Sequence, residues 1–437
     1  MIKSTVSELI KEDVELKTGT YLLVRGPAYI KLKCGKADIF GAVMEEGRSL
    51  TVVSGRQVPI RPVEDSLLEL RVGSRDSIQF INEDPVPRSW DEAVNMLMST
   101  KRFISVVLGD VDVGKSSFIL YLANRLVSER YKIGIIDCDI GQSDIGPPGT
   151  IGLSILDNPI YSYSDAELFN AYFIGDKTPT GHLLPIVLGS RKMLEEAFDA
   201  GVDGVLVNTT GFIYGGVARA LKLYKIEVLK PTHIFGLQYR HELEPLIRFL
   251  GIRDIVRFVD VSKYISRKGL GARKIFRRLK MGEYFRDIKI LTFDLNKVRV
   301  ENTILPAMIK VKYIDDLVYN LISKKVDGVY LDRDSIYILF KDALDKSRLI
   351  KLISKFKEEF KEVKIISLNK IRGLYLGLYN DSKFAGVGVL ENIDIRKRKI
   401  TIKASINPGM KINRILFGYL ILDDDYNEVS RLSPGYI

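Results

Sequence analysis

Residues 103–127 read FISVVLGDVDVGKSSFILYLANRLV. The apolar run Phe103 to Leu108 enters like a buried strand. Phe118, Leu122, Leu126 and Val127 then recur at the three- and four-residue steps of a helix. Between them Gly109, Gly114, Lys115 and Ser116 hold the spacing of a phosphate-binding loop. Consecutive N–H groups of such a loop, with the helix N-terminus, form a concavity of positive partial charge that holds phosphate oxygens. Glycine lets backbone approach the phosphates without a Cβ in the way. The segment Gly109-Asp110-Val111-Asp112-Val113-Gly114-Lys115-Ser116-Ser117 is therefore expected to bind a nucleoside triphosphate. Lys115 is expected at the β/γ-phosphates and the Ser116 hydroxyl on magnesium.

Residues 133–150, IGIIDCDIGQSDIGPPGT, begin as a second buried strand. An acid at the carboxyl end of a strand beside the loop is where such folds hold magnesium, directly or through water. Alternation along the strand puts Asp137 and Asp139 on one side and Cys138 on the other. One carboxylate suffices for a metal, which leaves the second to accept a proton. Asp137 also reads as a turn former, and Asp139, beside the Gly141-Gln142 turn, is the stronger candidate for chemistry.

At 437 residues the chain has room for two or three cores. Its 46% hydrophobic and 28% charged residues are ordinary for a globular protein. No apolar run reaches membrane-span length, and the charged N-terminus lacks a signal-peptide core. Cys34 and Cys138 are the two cysteines, with Cys138 expected inside a strand, so no disulfide is expected and a cytoplasmic location fits. A net charge of +11 permits a nucleic-acid partner without establishing one. His182, His233 and His241 lack metal-ligand spacing. No Asn-Lys-x-Asp stretch reads guanine, which argues against a regulatory GTPase.

Residues 1–84 read as short strands and turns, the pattern of a small β-sandwich that either covers a nucleotide base or serves as scaffold. Pro85-Val86-Pro87 opens a nucleotide region, 85–290. Helices near Pro185–Ala200, Val217–Leu229 and Glu242–Leu250 alternate there with strands near 204–208, 232–237 and 255–259, predicting a doubly wound parallel sheet. The loops at its strand ends are expected to share one cleft. Residues 263–280 carry eight Lys or Arg and no acid. By spacing alone that run is more readily a solvated face or a grip on a nucleic-acid backbone than a phosphate site. Residues 291–437 read as a β-rich α+β domain, with strands near Leu291–Val300 and Met308–Tyr313 and an amphipathic helix over Ser347–Phe360.

Taken in order, these segments resemble the polynucleotide 5′-hydroxyl kinase family. That family includes the kinase subunit of the eukaryotic pre-mRNA cleavage and tRNA-splicing machinery, nucleolar ribosomal-RNA-processing kinases and archaeal relatives. The resemblance rests on the phosphate loop, Asp137 to Gln142, Pro148-Gly149-Thr150, Thr178-Pro179 as the "clasp", and Asn208 to Gly211. It also includes Arg273 and Arg277 as the "lid", followed by Tyr284-Phe285, with Gly35–Gly41 and Gly373–Leu390 resembling the flanking β-domains. It thus spans most of the chain and assigns the basic run to catalysis.

The resemblance implies transfer of the ATP γ-phosphate to the 5′-hydroxyl of RNA or DNA, with magnesium on Ser116 and Asp139. Asp139 accepts or orients the hydroxyl proton. Gln142 places the 5′-end, Thr178 and Pro179 align donor and acceptor, and Arg273 and Arg277 offset transition-state charge. Phe212 stands where eukaryotic relatives often carry Trp, keeping a base-stacking surface. Thr180-Gly181 replaces the Asn common after the clasp proline. The resemblance also admits protein partners in an RNA-processing complex, and an alternative in which the chain is an ATP-bound, non-catalytic scaffold.

Overall fold

The computed structural model describes residues 9–265 and 270–436. Contact density divides the chain into two units. The first comprises Met1–Gly146, Thr150–Tyr172 and Thr178–Arg277; the second comprises Pro147–Gly149, Phe173–Lys177 and Arg278–Ile437.

The first unit opens with two small sheets. One runs in the order 10–16, 66–72, 28–34, 49–52, and the other 42–44, 37–39, 57–62, 21–25, 78–81. The strand Ala28–Cys34 alternates buried and half-buried residues, the period of a strand with one face on a core. Leu22, Val24, Ile30, Leu32, Ile60, Leu68 and Leu70 fill that core.

Beyond it lies a seven-stranded sheet in the order 170–173, 150–156, 133–137, 204–208, 103–109, 233–237, 256–259. The strands 133–137, 204–208, 103–109, 233–237 and 256–259 pair in parallel, each shielded by apolar neighbours. The expectation of an all-parallel sheet needs correction at one place. Thr150–Leu156 runs antiparallel to Ile133–Asp137, because the twelve residues between them hold no helix that could carry the chain back for a parallel crossover.

The α-helices of this region among the described residues are α1 (Arg88–Met98), α2 (Lys115–Ser128), α3 (Leu183–Asp199), α4 (Gly215–Leu229), α5 (Glu244–Leu250) and the start of α6 (Leu270–Tyr284), which from Arg278 belongs to the second unit. Trp90 on α1 packs edge-on to Phe118 of α2, with ring centroids 5.2 Å apart, and its indole N–H donates to Asp260 O at 2.9 Å. The strand Gly204–Asn208 starts with a glycine because a Cβ there would lie 2.1 Å from the Phe103 ring. No helix among the described residues is long and apolar enough to cross a membrane.

The second unit is built on a sheet ordered 289–294, 399–406, 383–394, 374–380, 414–422, 299–301, with 428–431 added to 414–422. A separate three-stranded sheet, 328–331, 335–340 and 362–367, packs with helices Lys312–Ile322 and Lys346–Phe356 on its own core. The expected strand at Met308–Tyr313 is in fact an isolated bridge at Ile309 leading into the first of these helices. The expected strand Leu291–Val300 is two strands separated by a turn at 295–298. Two short pieces of nucleotide-region sequence belong here. Phe173 packs against Tyr375 at 5.0 Å, Tyr419 N donates to Gly175 O at 2.8 Å, and Arg431 Nε donates to the buried Asp176 carboxylate at 2.6 Å. Tyr375 Oη donates to Pro148 O at 3.0 Å.

Because the site opposite Gly204 is already filled by an aromatic ring, Gly204→Ala is expected to cost about 1–3 kcal/mol of stability by overpacking. A urea unfolding midpoint equal to the wild type would refute this account of the glycine.

Candidate active site

The strand Phe103–Gly109 ends in a loop whose last residue, Gly114, has φ 91° and caps α2. Glycine tolerates that left-handed backbone; Asp112, at φ 57°, takes it as one of the few other residue types that can. The loop lines a cavity of about 510 Å³, the size of a nucleotide-scale ligand site. Asp110, Val111, Asp112, Gly114, Lys115, Ser116 and Ser117 all line it. Gly109 and Val113 do not; Val113 is buried, and a Cβ on Gly109 would sit 2.7 Å from its side chain.

Lys115 is 7% exposed, and its ammonium donates to Asp110 O at 2.6 Å. Burial pushes its pKa down, against the pull of Asp139, Asp110 and Asp112. Arg273 reaches the same loop from α6, with Nη2 donating to the Asp112 carboxylate at 2.6 Å. Its Nε is buried and has no hydrogen-bond partner among the described residues. Arg277, one turn on, also lines the cavity.

The two acids of the second strand end differently from what alternation suggests. The strand stops at Asp137, so the period-two rule does not extend to Asp139. Asp137 is 1% exposed and lies beneath the cavity. It accepts from Asp139 N at 3.1 Å, Asp144 N at 2.5 Å, Ile145 N at 3.3 Å and Asn208 Nδ2 at 3.1 Å. Burial first, then Asp144 and Asp139, push its pKa up to about 8 against those donors. Asp139 lines the cavity, and its Oδ1 accepts from Gly141 N at 3.2 Å and Gln142 N at 3.3 Å. Its pKa is raised by burial and lowered by Lys115, its strongest charged neighbour.

The strand Gly204–Asn208 delivers Asn208, whose Nδ2 also donates to Ser116 Oγ at 3.2 Å. One amide thus ties the loop serine to the strand-end acid. Past it, Thr209 Oγ1 donates to Val107 O at 2.7 Å, and buried Lys222 donates to Thr210 O at 2.7 Å. This holds the turn carrying Gly211, Phe212, Ile213 and Tyr214 against the phosphate loop. A Cβ on Gly211 would fall 2.6 Å from Val111 N.

Residues 109–287 match the family model described as the mRNA cleavage and polyadenylation factor CLP1 P-loop. The chain is 32% identical over 359 residues to the polyribonucleotide 5′-hydroxyl-kinase of Pyrococcus abyssi, covering 81% of this chain and 97% of that one. It belongs to the polyribonucleotide 5′-hydroxyl-kinase family of CLP1-type proteins. The Pyrococcus horikoshii member is 33% identical, over 81% of this chain and 95% of that one. A chain of the solved Clp1p–Pcf11p complex shares the fold, with a TM-score of 0.63 at 12% identity over 94% of this chain and 98% of that one.

Of the residues that the family motifs single out, Lys115, Ser116, Asp139, Gln142, Phe212, Arg273 and Arg277 converge on this one cavity. Thr178 and Pro179 are not among its lining residues; Pro179 O accepts from His182 N at 2.9 Å in the turn that opens α3. Among the lining residues that carried no separate signal are Arg56, Asp144 and Tyr214. Asn208, which opens the Asn208-to-Gly211 segment of the resemblance, also lines the cavity, at the end of a strand beside the phosphate-loop strand. Arg56 comes from the N-terminal sheets, together with Leu23, Phe40 and Pro59. Nothing local in the sequence connects those residues to the loop.

Gly211→Ala is expected to weaken nucleotide binding by roughly 1.4 kcal/mol or more, about tenfold in Kd, because the turn must withdraw from Val111. Titration of a fluorescent ATP analogue tests this; unchanged affinity would mean the turn relaxes without touching the site.

Proposed function

We propose that the chain is an ATP-dependent polynucleotide 5′-hydroxyl kinase acting on RNA or DNA ends in RNA processing. The observation that carries this reading is the buried Nε of Arg273, without a hydrogen-bond partner among the described residues, on a side chain lining the cavity with Lys115 and Asp139. A guanidinium N–H kept from water needs an acceptor, and a phosphate oxygen is the acceptor that this donor geometry suits.

In the proposed reaction the 5′-hydroxyl oxygen attacks Pγ as its proton passes to the Asp139 carboxylate. The new O–Pγ bond forms, the bond from Pγ to the β,γ-bridging oxygen breaks, and ADP leaves with that electron pair. Lys115 and the two arginines meet the charge that spreads over the phosphoryl oxygens. Gln142, adjacent to Asp139's own turn, and the Phe212 ring are suited to hold the terminal nucleotide, the ring by stacking on its base. Thr178 and Pro179 are proposed as the clasp on the acceptor side.

Magnesium fits the donors present, because they are hard oxygens: Ser116 Oγ and the Asp139 carboxylate, with Asp137 behind them. The buried Oδ1 of the same Asn208 amide that binds Ser116 has no partner among the described residues and is one more oxygen suited to a positive neighbour. When bound, the ion supplies positive charge to the β- and γ-phosphate oxygens.

Labelled γ-phosphate should appear on 5′-hydroxyl RNA or DNA oligonucleotides. Tight ATP binding without any labelled product would favour a scaffold role instead. Asp139→Ala is expected to lower turnover by roughly 10²–10⁴-fold, Lys115→Ala to abolish transfer, and Arg273→Ala to lower turnover more than ATP affinity. Wild-type turnover in Asp139→Ala would remove that residue from the chemistry. Asn208→Ala is expected to raise the magnesium concentration for half-maximal rate by about tenfold or more, as loss of an outer-sphere support does; an unchanged requirement would separate Asn208 from the metal.

A further inference from the structure

Arg56 lies in the turn between the strands Ser49–Val52 and Gln57–Pro62, remote in sequence from every motif of the nucleotide region. Its backbone is fixed: Arg56 N donates to Val53 O at 3.1 Å, and its carbonyl accepts from Gly26 N at 2.9 Å. Its side chain, 26% exposed, ends inside the cavity and touches two different elements there.

On one side its guanidinium donates to the Asp144 carboxylate, which is 4% exposed. Asp144 is bound in turn to Asp137 through its main-chain N–H. On the other side the guanidinium lies over the Phe276 ring, 4.8 Å from its centroid. Phe276 sits on α6 between Arg273 and Arg277. The neighbouring Gln57 adds a second tie, with Nε2 donating to Tyr264 O at 2.9 Å, ahead of α6. One planar cation therefore pairs with a carboxylate through its edge and stacks on an aromatic through its face, a double use open to arginine and not to lysine.

We propose that Arg56 is a positioning residue for phosphoryl transfer, setting α6 and its arginines against the carboxylate loop. The proposal rests on the kinase reading of the cavity, and it makes turnover depend on a side chain of the N-terminal β-region. The fixed turn supplies the rigidity, and the Arg56 guanidinium transmits it to both partners. A misplacement of about 1 Å at a transferring group can cost on the order of a hundredfold in rate, so a weak contact in stability terms can be a strong one in turnover.

The test compares Arg56→Gln, Phe276→Leu, Phe276→Tyr and the double variant Arg56→Gln/Phe276→Leu in the full chain. Arg56→Gln is expected to lower kcat by about tenfold or more while leaving the ATP dissociation constant within about twofold. Phe276→Leu should do the same, Phe276→Tyr should restore wild-type kcat, and the double variant should be no slower than the slower single. Amide exchange over 273–277 should accelerate equally in Arg56→Gln and Phe276→Leu. Wild-type kcat in Arg56→Gln, multiplication of the two defects in the double variant, or a loss of ATP affinity as large as the loss of kcat would each overturn the proposal. If the wild type phosphorylates neither RNA nor DNA, the kinase reading fails. The exchange data then decide on Arg56 alone, with unchanged exchange over 273–277 overturning its tie to α6.

Discussion

Keeping ammonium and guanidinium groups out of bulk water is the constraint around which this site is organised. Buried charge is tolerated only where oxygen atoms surround it. Around the phosphate loop the chain supplies those oxygens itself: the Asp110 carbonyl holds Lys115, and the Asp112 carboxylate holds Arg273. Both acceptors occupy variable positions of the loop motif. Without nucleotide these two cations are already partnered by the loop, and a triphosphate can exchange with those partners at modest net cost. The Asp110 carbonyl and the Asp112 carboxylate are thus suited to hold these cations until phosphate replaces them, and for Asp112 that gives the carboxylate a physical purpose that motif spacing alone does not supply.

The same reasoning explains what could be read in the sequence. Lys115, Ser116 and the loop glycines were legible because one short segment must contain strand end, anion cradle and helix start together. The helices α3, α4 and α5 were legible from their apolar period, with ends shifted by a residue or two where caps decide. Arg56 and Asp144 were not legible. They lie 88 residues apart, and only the packing of the N-terminal strands on the nucleotide region joins them. A single sequence carries no trace of such a pairing.

The C-terminal misreadings have another cause. Met308–Tyr313 alternates apolar and polar residues, yet from Lys312 a helix follows. Ile314, Val318 and Ile322, at helical spacing, bury more surface than the short alternating run could. Within 295–298 the chain folds back on Asp294, whose carbonyl accepts from Lys297 N at 2.9 Å and Val298 N at 3.0 Å. Leu291, Phe293 and Leu295, then Val298 and Val300, alternate with polar residues as a strand does, and that pattern hid this break. Pro148 was visible in the Pro148-Gly149-Thr150 segment, but its membership of the second unit, and that of Gly175, was not. It depends on Tyr375, Gly418 and Tyr419, far along the chain.

The two acids Asp137 and Asp139 show how a local rule fails to chemical advantage. Had the strand continued through Asp139, alternation would have set both carboxylates on one face, competing for the same donors. Ending the strand at Asp137 separates their tasks. Asp137 spends its oxygens on four N–H donors and fixes the loop 139–145 through Asp139 N, Asp144 N and Ile145 N. Asp139, two residues past the strand's end, accepts from its own turn and lines the cavity with Lys115. A carboxylate held by backbone donors keeps its direction but not its full hydrogen-bonding capacity. The unspent part is what the proposed reaction assigns to a metal or a hydroxyl proton, so that on that reading the acid that builds the loop and the acid that works in it are different residues.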